Sequence, residues 1–369
     1  MIWRIIGRSI FVRGGGAIHS DVFDDIISCE NLLRAWREFK KGKTKKKDIL
    51  EFDFNLEEDI FSLYRELKNK TYINKPYVPF YVYDPKKRHI HKAEVRDRVV
   101  HQAIYRVLYS VYDKHFVHDS YSCRLGKGTH RAVKRLEEFL CKESRNYKRN
   151  VWVLKCDISK FFDSIDHEIL KRILFRKNLD QDTIWLLEKI IKSFEKAHNK
   201  GLPLGNVTSQ LFSNIYMNEF DQFIKHKLKI KYYIRYCDDF VIVSKDKKYL
   251  ELLISQITFF LKDQLSLSLH PKKVEIRKLS QGIDFLGYVI LPHYKVLRAS
   301  TKKRIFRKIK DGVSKESRQS YLGILSHCKG YNLSRYINMS LKLNSCDVDG
   351  VLQDGDIGRF IDPVRERPR

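Results

Sequence analysis

A mixed α+β body is expected of this chain on three grounds. Apolar residues recur every three or four positions in several long stretches, which is helical spacing. The run Lys231–Ser244 is rich in β-branched and aromatic residues and turns back on itself at a tight Cys237-Asp238-Asp239 tip. Helices and strands do not alternate as β-α units, so antiparallel strands are expected rather than a parallel sheet.

Taken in order, Met1–Val12 is apolar, but Arg4 and Arg8 interrupt it and no convincing small-residue cleavage site follows. No secretion signal is read there. Cys29–Phe39 sets Leu32, Leu33, Trp36 and Phe39 on one helical face. Lys40, Lys41, Lys43, Lys45, Lys46 and Lys47 follow at once, and like charges so crowded favour a solvated loop or an anion-binding one. Leu56, Ile60, Leu63 and Leu67 mark an amphipathic helix over 56–68. Tyr77–Tyr83, punctuated by Pro76, Pro79 and Pro85, reads as β-rich and leads into basic residues from Lys86 to Arg98. Helices are expected over 99–117 and 129–143. Val151–Ile158 is a short apolar strand containing Asp157 near its end, and a helix begins near Asp166. Over Ser209–Leu228, Phe212, Tyr216, Phe220 and Ile224 recur every fourth residue. After the hairpin come a helix over Tyr249–Leu265, short strands at Val274–Arg277 and Ile283–Ile290, and a basic helical segment from about Arg298. Beyond Ser345 the tail turns acidic and loses periodicity, and loose packing is expected.

The chain has 369 residues, 43% hydrophobic and 12% aromatic, enough for a substantial core and against wholesale disorder. Lysine and arginine number 72 against 45 acidic residues, a net charge of +27. Such an excess on a well-cored chain points to a polyanionic partner, nucleic acid first and an anionic membrane surface second. No apolar run of about 18 residues exists, so no membrane span is expected. The seven cysteines, at 29, 123, 141, 156, 237, 328 and 346, form no Cys-x-x-Cys pair, which suits a reducing cytoplasm.

Asp238 and Asp239 sit side by side at the tip of an apolar hairpin, where mutual repulsion raises a pKa unless a cation intervenes. Alone, an Asp-Asp turn is an ordinary solvated feature. Asp157, near the end of a separate apolar strand, changes the reading: if the two strands are antiparallel neighbours, three carboxylates meet at one edge. Hard oxygens in that number suit Mg²⁺, and two such ions serve in-line phosphoryl displacement. Together with the +27 charge, these features point to a nucleotidyl transferase acting on nucleic acid.

From about residue 80 to residue 290 the ordered motifs resemble a reverse transcriptase. The strand with Asp157 resembles that family's first palm motif, and Tyr236-Cys237-Asp238-Asp239 its Tyr-x-Asp-Asp box. The resemblance implies a right-hand polymerase fold. Its parts would be a helical, basic extension over 1–75, fingers over 76–150, a palm over 151–292, a helical thumb over 293–345 and a loose tail over 346–369. Catalysis would rest on Asp157, Asp238 and Asp239. These residues, with the main-chain carbonyl of Ile158, would hold two Mg²⁺ ions, for which Mn²⁺ can substitute. Phe162 would be the steric gate that excludes a ribose 2′-hydroxyl, and the N–H groups of Lys160 and Phe161 would face the triphosphate. Lys86 and Arg88 would clamp that triphosphate, Arg88 through its bidentate fork. Lys273 would protonate the departing pyrophosphate. Ser120–Thr129 would line the template and nucleotide path. Phe285, Leu286, Gly287 and Tyr288 resemble the primer grip. Arg304, Arg307 and Lys308 belong to a thumb lying on the duplex backbone, and the lysines from Lys40 to Lys47 would grip structured RNA.

One segment departs from most reverse transcriptases. In Gly201-Leu-Pro-Leu-Gly-Asn-Val-Thr-Ser-Gln210, Leu204 replaces the usual Gln and Gln210 the usual Pro. The residues Leu204, Gly205 and Gln210 belong to the nucleotide site. An aliphatic Leu204 removes one hydrogen-bond check on the incoming nucleotide, so base selection is expected to loosen. The Gly-x-x-x-Ser-Gln pattern resembles reverse transcriptases of diversity-generating retroelements. So do the flanks Glu30-Asn-Leu-Leu, Tyr83-Asp-Pro-Lys-Lys-Arg, Asp97-Arg-Val-Val-His and Ser320-Tyr-Leu-Gly. The partners implied are a template and primer RNA, an RNA–DNA duplex, dNTPs, and a small basic accessory protein or another reverse transcriptase subunit, with no membrane. The stretch after Tyr288 suffices for a thumb but not for a maturase with endonuclease or an RNase H domain. The alternatives are a defence-associated bacterial reverse transcriptase copying its own non-coding RNA, and a non-catalytic RNA-binding protein on the same frame.

Overall fold

The structure, a computed structural model, describes residues 22–84 and 86–339. The expectations for Met1–Val12, Cys346 and the tail over 346–369 lie outside the described residues. The chain divides into two compact units, each assembled from separated segments. Residues up to Lys114 together with Asp166–Phe212 form the first, and His115–Ile165 with the residues from Ser213 onward form the second.

In the first unit, helix Val95–Tyr112 packs on helix Cys29–Lys40, burying Leu32, Ala35, Trp36, Val99, Val100, Ala103 and Ile104. Asn31 fastens the pair: its amide donates to the Ile26 and Ala103 carbonyls, and its oxygen accepts from Arg106. The helix expected from 99 starts four residues earlier and ends at Tyr112, followed by a 3-10 turn Asp113–His115. Helices Leu56–Lys68, His167–Phe175 and Gln181–Lys192 complete the bundle, the last two capped by the Asp166 and Asp180 carboxylates. Strands β1 (Val78–Val82) and β2 (Arg88–Lys92) form a two-stranded ribbon whose β1 residues are all exposed. Helix Lys47–Phe54 begins inside the lysine cluster, whose charge masks the Ile49 and Phe52 period in the sequence.

The second unit is built on a four-stranded antiparallel sheet: β3 (Trp152–Asp157), β4 (Tyr233–Tyr236), β5 (Asp239–Ser244) and β6 (Glu275–Lys278), in the spatial order β4-β5-β3-β6. Both faces are covered, so the central strands read as apolar runs rather than alternating ones. On one face Val153, Ile234, Val241 and Val243 share a core with Ala132, Val133, Leu136 and Leu140 of helix Thr129–Glu143. On the other, Tyr233 and Phe240 meet Phe220, which also contacts Phe260 of helix Lys247–Leu265. The long helix expected over 209–228 is Val207–Gln222, continued by a π-helical turn at Phe223–Lys227. A three-stranded meander follows, β7 (Ile283–Phe285), β8 (Tyr288–Leu291) and β9 (Tyr294–Leu297), and β7 and β8 form a hairpin over the stretch 283–290. Helices Ala299–Lys310, Lys315–Leu325 and Tyr331–Met339 end the described chain. Among the described residues no helix is long and apolar enough to cross a membrane.

Candidate functional site

The centre of the second unit is set by strand register. Strand β3 lies between β5 and β6, and its last residue, Asp157, is directly opposite Asp239, the first residue of β5. Directly opposed residues of an antiparallel pair project on the same face, with Cβ atoms about 5 Å apart. Like charges there oppose folding, so the pairing needs another purpose. Asp238 is the second residue of the two-residue loop that joins β4 to β5, closed by the Tyr236–Asp239 pair. Cys237, the first, has φ +58°. A tight hairpin normally places glycine at that position, and a side chain held there costs about 1 kcal/mol.

Arg235 holds this turn. Its guanidinium is fully buried and donates to both Asp221 oxygens at 2.8 and 2.6 Å, to Asn214 at 3.3 Å, to the Ser120 hydroxyl at 3.1 Å and to the Cys237 carbonyl at 3.0 Å. Tyr233 donates its hydroxyl to the same Asp221 at 2.6 Å. Arg235 also exchanges main-chain hydrogen bonds with Asp119 and Tyr121, which fastens the Ser120–Thr129 segment alongside β4. The motif reading omits this residue. The signal was present: an arginine inside Tyr233-Ile-Arg-Tyr236, a strand otherwise apolar and aromatic, must find a buried partner.

The carboxylates are electrostatically strained. Burial pushes the Asp238 carboxyl above the ordinary range, and the Asp157 charge adds to it. Asp239 is pushed up to about 6 by burial, with Asp157 and Asp238 adding and Lys155 opposing. Asp157 is ion-paired with Lys273, whose ammonium lies 2.9 Å from Oδ2. The segment carrying Lys273 is tied to Asp157, since the His270 N–H donates to the Asp157 carbonyl at 2.8 Å and the Lys273 N–H to the His270 carbonyl. A divalent cation fits this donor set: the oxygens are hard, half-buried and short of positive charge. Among the described residues no three His, Cys, Asp or Glu side chains converge as a ready-made metal cage.

The other candidates fall into separate places. Ile158 is buried and bridges to Leu269. Lys160, at φ +45°, precedes the one-turn helix Phe161–Ser164, in which Phe162 is half-buried and edge-on to the buried Phe161 at 5.4 Å. Phe285 and Tyr288 close the β7–β8 hairpin around Leu286 and Gly287, both at positive φ, and both Phe285 and Tyr288 are buried. Arg307 is exposed on helix Ala299–Lys310, with Arg304 and Lys308 half-buried.

In the first unit, Lys86 and Arg88 are exposed at the β1–β2 turn and the start of β2. Leu204, Gly205 and Gln210 belong to the same unit. Here β2 is fastened to the 201–206 loop: the His91 N–H donates to the Leu204 carbonyl at 3.0 Å, and Asn206 Nδ2 donates to the His91 carbonyl at 3.1 Å. Gly205 has φ +108°, and a Cβ there would stand 2.9 Å from Ile90, so this loop and β2 approach as only glycine allows. In the lysine cluster, Lys40 pairs with Asp53 and Lys47 with Glu51, while Lys43 lies over the Phe39 ring. Lys41, Lys45 and Lys46 are exposed.

The match to the family model described as reverse transcriptase (RNA-dependent DNA polymerase) covers residues 73–290. Among curated proteins, the chain is 28% identical over 237 residues to protein YkfC of Escherichia coli, covering 53% of this chain and 61% of that protein. It is 25% identical over 320 residues to the group II intron-encoded protein LtrA of Lactococcus lactis, covering 67% of this chain and 51% of that one. The chain therefore spans less than two thirds of the length of these relatives. A solved structure of apo telomerase from Candida tropicalis, truncated from its C-terminal domain, aligns with 63% of this chain and 59% of its own, at 13% identity and a TM-score of 0.46. With well over half of its length matched, this chain belongs to the reverse transcriptase (RNA-dependent DNA polymerase) family, whose right-hand polymerase fold its α+β architecture follows.

Proposed function

We propose that the chain makes cDNA from a specific structured RNA, as an RNA-directed DNA polymerase of a diversity-generating retroelement. The observation that carries the polymerase reading is the register of Asp157 opposite Asp239, with Asp238 in the adjoining turn. In this reading the three carboxylates and the Ile158 carbonyl hold two Mg²⁺ ions, with Mn²⁺ as substitute. The bound metal would supply charge neutralisation at the reacting phosphate and a more acidic primer hydroxyl. Phe162 selects deoxynucleotides. Lys86, Arg88 and the Lys160 and Phe161 N–H groups hold the triphosphate, and Lys273 donates a proton to pyrophosphate. The Lys273–Asp157 ion pair supports that last role, because a charge already held at the site needs little movement to serve the leaving group.

The fingers would be residues 76–150, the palm 151–292 and the thumb 293–345, with an extension before and a tail after. Phe285–Tyr288 would grip the primer. The retroelement assignment rests on Leu204, Gly205 and Gln210 in the Gly-x-x-x-Ser-Gln pattern, and it carries expected substitutions at template adenines. The protein would work in the cytoplasm with template and primer RNA, dNTPs and a small basic accessory protein or another reverse transcriptase subunit.

Primer extension on an RNA template with Mg²⁺ and dNTPs tests the reading. Extension should vanish in Asp238→Ala and Asp239→Ala, and persistence in either would remove the site assignment. Sequenced products should show substitutions at template adenines. Faithful copying of one co-purifying RNA would instead favour a defence-type enzyme, and RNA binding without any extension a non-catalytic role.

A further inference from the structure

Helix Lys247–Leu265 of the second unit seats on β3, β5 and β6 with one side only. Leu250, Leu253, Ile257, Leu261 and Leu265 are buried, while the opposite side holds large apolar residues in water. Leu252 is 69% exposed, Phe259 70% and Tyr249 39%. Leu252 and Phe259 are seven residues apart, so they stand in line two turns from one another at the outer pole of the helix. Tyr249, Leu252, Gln256, Phe259 and Asp263 recur at alternating steps of three and four, the spacing of a two-helix coiled-coil seam. The monomer does not need that seam, because the buried leucines already hold the helix on the sheet.

The charges around the seam decide what it fits. The helix carries three basic side chains, Lys247, Lys248 and Lys262, against two acidic ones, Glu251 and Asp263, in a chain of net charge +27. A face so nearly neutral, with carboxylates beside its apolar centre, attracts neither a nucleic-acid backbone nor an anionic membrane. The order of the charges is instead self-complementary. When a second copy of the helix is laid antiparallel across a two-fold axis at Gln256, position 249 faces 263, position 252 falls beside 259, and position 251 beside 262. Leu252 then meets Phe259 of the partner subunit, Glu251 meets Lys262 of the partner subunit, and the Tyr249 hydroxyl meets Asp263 of the partner subunit. Symmetry makes each contact twice. Lys248 falls opposite Gln264 of the partner subunit rather than a like charge. Glu251 already accepts from Lys247 at 3.1 Å, but that pair is exposed and weak, and a carboxylate has room for a second donor.

We propose that the outer face of helix Lys247–Leu265 is a homodimer interface, packed antiparallel on the same helix of a second copy of this chain. Leu252 and Phe259 form its apolar centre, the Gln256 amides meet across the axis, and the Glu251–Lys262 and Tyr249–Asp263 contacts fix the register. One helix face makes a small interface, so a Kd on the order of micromolar is expected. The interface gives a surface and a symmetry to the subunit partnership in the proposed function, and its formation requires no polymerisation.

Sedimentation velocity of the nuclease-treated full chain, from about 1 to about 100 μM, tests it. The wild type should pass from monomer to dimer across that range. Phe259→Asp, at a side chain the fold leaves mostly in water, should raise Kd by about 10²-fold with an unchanged far-UV CD spectrum. Glu251→Lys and Lys262→Glu should each weaken the dimer by about tenfold. Glu251→Lys/Lys262→Glu should recover most of that loss, because both ion pairs return with their signs exchanged. A wild type that stays monomeric throughout overturns the proposal. So does a dimer that Phe259→Asp leaves intact, or one whose two charge variants do not compensate each other. The charge exchange keeps the question answerable if Phe259→Asp does not fold. If extension fails while the dimer forms, only the polymerase reading falls.

Discussion

Cys237 sits at φ +58° in the turn that carries Asp238, and a single buried guanidinium holds its carbonyl. Lysine keeps the charge of Arg235 but cannot span Asp221, Asn214, Ser120 and the Cys237 carbonyl at once. Arg235→Lys is therefore expected to lower kcat by about 10²-fold through misplacement of the turn. The KM for dNTP should stay within a few-fold. Single-nucleotide extension measures both, and a variant that loses only KM would contradict a positioning role. Asp239 gives a second expectation. Its pKa of about 6 lies above the ordinary 3.8, so its contribution to stability is full below pH 4 and lost as pH rises through 6. In metal-free buffer at pH 7.5, Asp239→Asn should raise stability by about 1–2 kcal/mol after allowance for solvent screening, while abolishing extension. Added Mg²⁺ should raise the Tm of the wild type and not that of the variant, a difference that thermal melts would show.

At the scale of elements, helix Val95–Tyr112 shows how a motif can be structural. In Asp97-Arg-Val-Val-His101 the two polar ends are four residues apart, on one helical face, and both are buried. Asp97 accepts from the Tyr72 hydroxyl at 2.8 Å and the Lys75 N–H at 2.9 Å, and His101 Nε2 lies 3.2 Å from Asn74 Oδ1. They anchor the segment that enters the β1–β2 ribbon. Burial lowers the His101 pKa to about 3, with Arg98 adding. A histidine kept neutral in the fold stabilises above pH 6.5, and that stability is lost as pH falls toward 3. Between pH 6.5 and pH 5 the loss should be about 2 kcal/mol. Urea unfolding at the two pH values measures it, and His101→Gln should flatten the difference. An equal pH response in that variant would show that another group titrates.

For the molecule as a whole, the +27 charge is not spread evenly in its use. Several basic side chains are consumed internally: Arg235 by Asp221, Lys273 by Asp157, Lys92 and Arg98 by Asp48. In the lysine cluster only some charges face water without such a partner in view. Replacing the exposed Lys41, Lys45 and Lys46 together by Gln should lower the salt slope of RNA binding by up to about 2–3 units, at roughly 0.7–0.9 per phosphate contact. Binding isotherms at several salt concentrations decide it, and an unchanged slope takes the cluster off the RNA interface.

Much of the local architecture was determined by the amino-acid order itself. Helices 56–68, 129–143 and 249–265, the apolar strand carrying Asp157 and the hairpin tipped by Asp238 follow from short-range periods and turn residues, which act over a few positions. Packing instead sets the relations across long stretches of chain: Asp157 against Asp239, Lys273 on Asp157, and β2 fastened to the Leu204–Asn206 loop. Strand register depends on which faces are buried and which turns close, and the pairing of a buried arginine depends on which carboxylate packing brings within reach. Neither quantity is carried by local periodicity.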